Sequence, residues 1–216
     1  KPEDKFTHQL GDPLLLKKKF NKHSHLKKSS LIFDFRKNDI LNGGQGAPLT
    51  PLYHRAIMKH LKIVDPRLIV NIGGIINVTY LNRGNIFSTD IGPGNCLIDK
   101  WIRKKSKKKY DENGTVAKSG KINKTILDKA LSNWVSNIDS TDNRNLTSHD
   151  IGDYDYSFAN KLSLEDGAAT ITEYSSEIYS HFINKLLVDV NPNAVIVCGG
   201  GRKNKFLMES FEKKID

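Results

Sequence analysis

A chain of 216 residues with 38% hydrophobic and 27% charged side chains has the composition of a soluble globular protein, and its length allows one large domain or two small ones with a real core. The net charge of +10 comes mostly from lysine clusters (Lys17-Lys18-Lys19, Lys27-Lys28 and the Lys104–Lys109 run) that lack interleaved aromatics or glycines. A base-reading nucleic-acid module is therefore disfavoured, and a solvated surface attractive to anions at long range is expected. No apolar run approaches a membrane span, residues 1–30 are too lysine-rich for a signal-peptide core, and Cys96 and Cys198 have no CxxC or histidine neighbour. Reduced thiols in a cytoplasmic protein are the reading that follows.

Residues 1–30 are polar and basic, interrupted by Leu14-Leu15-Leu16, and show no clear period. Ser30 to Phe35 reads as a buried strand. Gly43-Gly44-Gln45-Gly46-Ala47-Pro48 reads as a loop, because its glycines and proline oppose helix and strand alike. Thr50-Pro51 is a helix start, a hydroxyl cap followed by proline at the first position, with Leu52, Ala56, Ile57 and Leu61 spaced along one face. Asp65-Pro66 breaks the pattern and divides the chain into 1–66 and 67–216. Beyond it, Leu68–Ile72, Ile75–Leu81 and Ile86–Thr89 form a β-meander, turning at Gly73-Gly74 and at Asn82-Arg83-Gly84-Asn85. Helical stripes follow at Leu97–Ile102 and Ile126–Val135. Ser163-Leu164-Glu165-Asp166 resembles a capping box opening a long helix that Asn191-Pro192-Asn193 stops. Ala194–Cys198 is a strand, Gly199-Gly200-Gly201 a loop, and Phe206, Leu207 and Phe211 belong to a last helix. The order describes an α/β protein with a mixed sheet flanked by helices.

Three glycine-rich turns, Gly73-Gly74, Gly92-Pro93-Gly94 and Gly199-Gly200-Gly201, each follow an apolar strand. In open α/β folds ligands collect at strand ends, and glycine lets a backbone approach a phosphate closely. The alternative is that each glycine merely turns the chain. Neither a P-loop nor a clean GxGxxG is present. Asp90, read as the last residue of its strand, is the sharpest acid: it is either a proton acceptor for a hydroxyl or water, or a cap for the following helix. Asp34, Asp39 and Asp99 are weaker candidates. His54 reads as a surface or satisfied histidine, and no cluster has metal-ligand spacing.

The segments GGQGAPLTPLYHRA (43–56), NIGGIINVTYL (71–81), TDIGPGNCLID (89–99), LSLEDGAATIT (162–172) and VCGGGRKN (197–204), in this order, together resemble the anhydro-N-acetylmuramic acid kinases. The resemblance covers nearly the whole chain. It implies an actin-like, sugar-kinase ATPase fold, here incomplete. Residues 1–66 would be the end of the first actin-like domain and 67–216 most of the second, with ATP in the cleft between domains. It implies a cytoplasmic phosphotransferase of peptidoglycan recycling and amino sugar metabolism. Such an enzyme uses ATP, Mg²⁺ and water to open 1,6-anhydro-N-acetylmuramic acid and give N-acetylmuramic acid 6-phosphate. By the same resemblance Asp90 is the catalytic base. Asn71, Gly73, Gly74, Asn77, Gly92, Gly94, Asn95, Gly199, Gly200 and Gly201 face the nucleotide, and Gln45, Gly46 and His54 face the sugar. No protein metal ligand is implied, and a homodimer stays open.

The chain also departs from the family. Its members extend further at both ends, including an amino-terminal phosphate loop, so a truncated form is expected, and half a phosphate clamp is not expected to sustain turnover. Ile91 stands where threonine is usual, and Asn145-Leu146-Thr147-Ser148 lacks the customary lysine before Asp150. The competing readings are a non-catalytic nucleotide- or nucleic-acid-binding remnant and a fold that binds nothing.

Overall fold

The computed structural model describes residues 11–140, 152 and 154–215, with only the backbone of 136–140. Residues 1–10, and Asn145 to Ser148 with Asp150, lie outside the described residues. Two compact units, Lys1–Leu49 and Thr50–Asp216, divide the chain.

In the first unit the expectations need correcting. Leu14-Leu15-Leu16 lies in a helix, α1 (Pro13–Phe20), started by Asp12, whose carboxylate accepts the Leu15 N–H at 2.9 Å, and by proline in the first turn. An aspartate followed by proline is a helix-start signal that the lack of a hydrophobic period obscured. The strand expected over Ser30 to Phe35 does not form. Residues 31–34 are irregular, and Phe35 opens α2 (Phe35–Leu41) behind Asp34, which takes a left-handed conformation (φ 64°). A short apolar run does not by itself distinguish strand from helix, and a strand needs a ladder partner. Among the described residues of this unit there is no strand. Ile32, Phe33 and Phe35 are exposed, whereas Ile40 is buried.

The second unit is built on a sheet of order β3-β2-β1-β4, from β1 (Arg67–Ile72), β2 (Ile75–Asn82), β3 (Asn85–Pro93) and β4 (Ala194–Cys198). The first three strands form the expected antiparallel meander, and β4 joins β1 in parallel. Arg83 and Gly84 both have positive φ (47° and 87°), as a two-residue hairpin turn matched to strand twist requires. Alternation then assigns the faces. Leu68, Val70 and Ile72 of β1 and Ile76 and Val78 of β2 enter the main core with Ile91. That core is covered by α4 (Asn95–Lys105), α5 (Thr115–Ser119), α6 (Lys124–Ser140), α7 (Leu164–Val190) and α8 (Lys205–Glu212).

Helix α7 begins as the capping pattern predicts, with the Ser163 hydroxyl accepting the Asp166 N–H at 3.1 Å. It ends at Asn191 in the left-handed region, φ 38°. Trp101 of α4 is fully buried and donates its indole N–H to the Leu164 carbonyl at 2.9 Å. Gly167 lies beneath that ring, where a Cβ would come within 2.1 Å of the indole. Close helix contact at this point depends on the missing side chain.

The opposite face of the sheet carries Ile69, Leu81, Ile86, Ile196 and Cys198, against which Ile57 and Met58 of α3 (Pro51–His60) pack. Helix α3 starts where Thr50-Pro51 predicted, but the Thr50 side chain makes no cap hydrogen bond. Its buried stripe is His54, Ile57 and Met58; Leu52, Ala56 and Leu61 point to solvent. The expected face was rotated because an apolar count favours leucines over a histidine that has a polar partner in the sheet.

Candidate active site

The strand that carries Asp90 does not end there. β3 continues to Pro93, and its ladder with β2 shifts: Asn77 pairs with Asp90, but Ile76 pairs with Gly92, leaving Ile91 as the extra residue of a bulge. An added residue breaks the alternation of faces. Asp90, ahead of the bulge, shares the α3 face with Ser88 by ordinary alternation; the added residue sends both Ile91 and Gly92 to the main core, where a Cβ on Gly92 would lie 2.9 Å from Ile178 Cγ2. Asp90 is half-buried. It does not cap the following helix: the cap position of α4 is Gly94, and no side chain bonds there.

On the same face and at the same end of the sheet, Asn71 pairs with Asn77 across β1 and β2, and with Cys198 across β1 and β4. The Cys198 thiol approaches Asn71 Oδ1 at 3.7 Å. Burial pushes the Cys198 thiol up. Asn77 Oδ1 is a buried acceptor without a protein donor. The apolar α3 face thus becomes polar in its last row, where amides and one carboxylate stand together.

The three glycine turns meet at this end. Gly94 donates its N–H to the Gly74 carbonyl at 2.9 Å, Asn95 donates its N–H to the Gly73 carbonyl at 2.9 Å, and the Asn95 amide reaches the same carbonyl at 3.3 Å. A Cβ on Gly94 would lie 2.3 Å from the Gly73 oxygen. On the other side of β1, Gly199 (φ 87°) would place a Cβ 2.5 Å from Asn71 Oδ1, and Gly201 would place one 2.2 Å from Ile72 Cγ2. These glycines are required because strands and turns touch one another, a reason the sequence reading did not separate from ligand approach. Gly200 differs: a Cβ there meets nothing within 4 Å. Gly74 is exposed.

His54 is buried, and its Nδ1 lies 2.9 Å from Thr79 Oγ1. Thr79 Oγ1 is 3.3 Å from Ser88 Oγ, which donates to the Val78 carbonyl at 2.7 Å. Burial holds the His54 imidazole below its usual range. Thr79 and Ser88, which the sequence did not single out, sit one cross-strand row from Asn77 and Asp90. Their only sequence signal is a hydroxyl at the two-residue spacing of a strand face.

Gln45 and Gly46 belong to the first unit, in the loop after α2. Asp39 organises that loop: its Oδ2 accepts the Gly46 N–H at 2.7 Å, and a Cβ on Gly44 would collide with the carboxylate at 2.1 Å. Among the described residues no group of three His, Cys, Asp or Glu could hold a metal ion, and no helix is long and apolar enough to cross a membrane. Cys96 and Cys198 are free thiols.

Comparison with known proteins gives one family. The family model for anhydro-N-acetylmuramic acid kinase matches residues 1–216. Among curated proteins, the anhydro-N-acetylmuramic acid kinase of Pelagibacter ubique is 41% identical over 99% of this chain and 55% of its own length. The Zymomonas mobilis protein of the same name is 32% identical over 100% and 55%, and that of Haemophilus influenzae 34% identical over 97% and 56%. The chain spans about half the length of these relatives. Among solved structures, the activator of the 2-hydroxyisocaproyl-CoA dehydratase from Clostridium difficile with bound ADPNP is a distant likeness. Its TM-score is 0.42 at 20% identity, over 71% of this chain and 52% of that one. With its motifs in order and the family matched from end to end, the chain belongs to the anhydro-N-acetylmuramic acid kinase family.

Proposed function

We propose that this chain carries the base-bearing part of a cytoplasmic kinase that opens 1,6-anhydro-N-acetylmuramic acid with ATP and water, giving N-acetylmuramic acid 6-phosphate. The actin-like, sugar-kinase architecture implied by the family goes with this reading. One observation carries it: the register of β3 on β2 sets the Asp90 carboxylate opposite Asn77 on the polar end of a sheet face, at the end where three glycine turns gather.

The reaction needs a water delivered to the anomeric carbon while O6 leaves with the γ-phosphoryl group. A carboxylate that accepts the water's proton does the work of the base in an inverting glycosidase. Asp90 is assigned that task. Phosphoryl transfer is mostly positioning and charge neutralisation. The Gly73-Gly74 and Gly200 turns are assigned to the nucleotide, because the main chain is exposed there at Gly74 and Gly200. Asn95 holds the Gly73 turn through its amide, and Asn71 and Asn77 are assigned to the nucleotide. Gly94 lets its turn lie against Gly73, Gly199 and Gly201 let theirs lie against β1, and Gly92 lets α7 approach. Gln45 and Gly46 remain assigned to the sugar.

The donor set suits Mg²⁺ carried on the triphosphate rather than caged by protein, since a hard, well-hydrated ion asks for few protein ligands. When bound it would neutralise charge on the phosphates; the protein's part is the proton acceptor and the turns.

The test is Asp90→Asn, assayed for turnover in a chimera completed from the Pelagibacter ubique relative and for ATP binding in this chain as well. We expect loss of sugar phosphorylation by about 10³-fold or more, as for removal of a catalytic base acting on water, with ATP affinity in calorimetry unchanged. Undiminished turnover in the variant refutes the assignment.

A further inference from the structure

The hydroxyls between His54 and β3 form a chain in which every contact can be made as a hydrogen bond in one proton arrangement. Each hydroxyl has one proton to donate. Ser88 gives its proton to the Val78 carbonyl, so toward Thr79 it acts as acceptor. With the 3.3 Å contact between the hydroxyls made as a hydrogen bond, Thr79 donates to Ser88 and accepts from His54 Nδ1 at 2.9 Å. In that arrangement the Nδ1 proton is on the histidine.

This chain of donors ties α3 to both strands of the pair that carries Asp90. Thr79 opposes Ser88, and the last regular row beyond them is Asn77 opposite Asp90. The bulge begins immediately after. A one-residue slip of β3 along β2 through these two rows would send the acid to the other face of the sheet. We propose that His54, as its neutral Nδ1–H tautomer, is a positioning residue that fixes the face of Asp90 through Thr79 and Ser88. The functional meaning of that position rests on the reading of Asp90 as a base; the geometric claim does not.

The tautomer and the coupling are both readable on the full chain by NMR, without turnover. In ¹⁵N-histidine-labelled protein, His54 is expected to show a protonated-type Nδ1 and a bare, pyridine-type Nε2. Thr79→Val keeps the shape but removes the acceptor, and is expected to switch the histidine to the Nε2–H pattern; Thr79→Ser is expected to keep the parent pattern. In ¹³C-aspartate-labelled protein, the Asp90 carboxyl signal, identified by its loss in Asp90→Asn, is expected to move in Thr79→Val and in His54→Ala. It is expected to return to the parent position in His54→Asn, whose amide N–H can stand where Nδ1–H stood. A purely packing role would give no such rescue.

An Nε2–H or doubly protonated His54 in the parent overturns the proposal, as does an Asp90 signal unmoved in Thr79→Val. If His54→Ala fails to fold, the valine and serine pair at Thr79 decides alone. ATP affinity is followed in the same samples. A parent that binds no ATP but shows the expected tautomer and coupling refutes the nucleotide reading and leaves the positioning role standing.

Discussion

Gly94→Ala tests whether the glycine turns are held together as described. The added methyl would lie 2.3 Å from the Gly73 carbonyl oxygen and 3.0 Å from Ile76 Cγ1, the latter fully buried. Neither neighbour is the free end of a flexible side chain, so the turns must separate. Overpacking of this kind costs about 1–3 kcal/mol. Separation also strains the bonds from Gly94 N–H to Gly74 and from Asn95 N–H to Gly73, both 2.9 Å, which contribute about 1 kcal/mol each. Part of the strain is relieved by breaking them, so the sum is about 2–4 kcal/mol, or roughly 5–15 °C in Tm for a chain of this size. Urea titration monitored by circular dichroism and by tryptophan fluorescence reads the loss. Gly200→Ala is the control, because its Cβ meets nothing within 4 Å. Its stability should stay within about 0.5 kcal/mol of the parent, while ATP affinity falls if that turn approaches the nucleotide. A Gly94→Ala chain with the parent's urea midpoint would refute the packing argument.

Three further outcomes follow from the same structure. Asp111 is buried, and its two carboxylate oxygens accept the Val116 and Ala117 N–H groups at 2.8 and 2.9 Å; Asp111→Ala should cost about 2–4 kcal/mol in urea titration, since two buried donors lose charged acceptors. His54 has its imidazole pKa lowered by burial, so the unfolded chain takes up that proton first: the stabilisation is complete above the unfolded pKa of about 6.5, and is lost as pH falls through the lower folded value. Urea midpoints measured across that window should fall more steeply for the parent than for His54→Asn, and equal slopes would refute the linkage. Burial raises the pKa of both Cys96 and Cys198, so a thiol reagent at neutral pH should label the folded chain far more slowly than the urea-unfolded chain, with the half-buried Cys198 reacting ahead of the buried Cys96.

Much of the second unit was legible because its signals are local. Ser163 three residues before Asp166 caps α7 as expected, Arg83-Gly84 turns the hairpin, and the apolar runs at Leu68–Ile72 and Ala194–Cys198 are strands. The first unit was harder to read. Ser30 to Phe35 has strand composition, yet without a neighbouring strand the chain turns at Asp34 into a helix. On α3, Leu52 and Leu61 suggested a buried stripe that the structure gives to His54, Ile57 and Met58. There a hydrogen bond to Thr79 outweighed the hydrophobicity of the residue.

For the site, the chain's own residues determined which chemistry was available: one acid beside glycine turns, amides at the strand ends, and motifs ordered as in one kinase family. They could do so because turn glycines, caps and strand runs act over a few neighbours. The side of the sheet on which Asp90 stands was decided only by folding. It depends on the pairing register that sets Thr79 opposite Ser88 and Asn77 opposite Asp90, while the ladder shift at Ile91 turns Gly92 to the main core. The glycines likewise could not be sorted in advance into those pressed against Gly73, Ile72 or Ile178 and those open to their surroundings, Gly74 and Gly200. Pairing register and contact between distant segments arise when the strands assemble, and a linear pattern of residues carries neither.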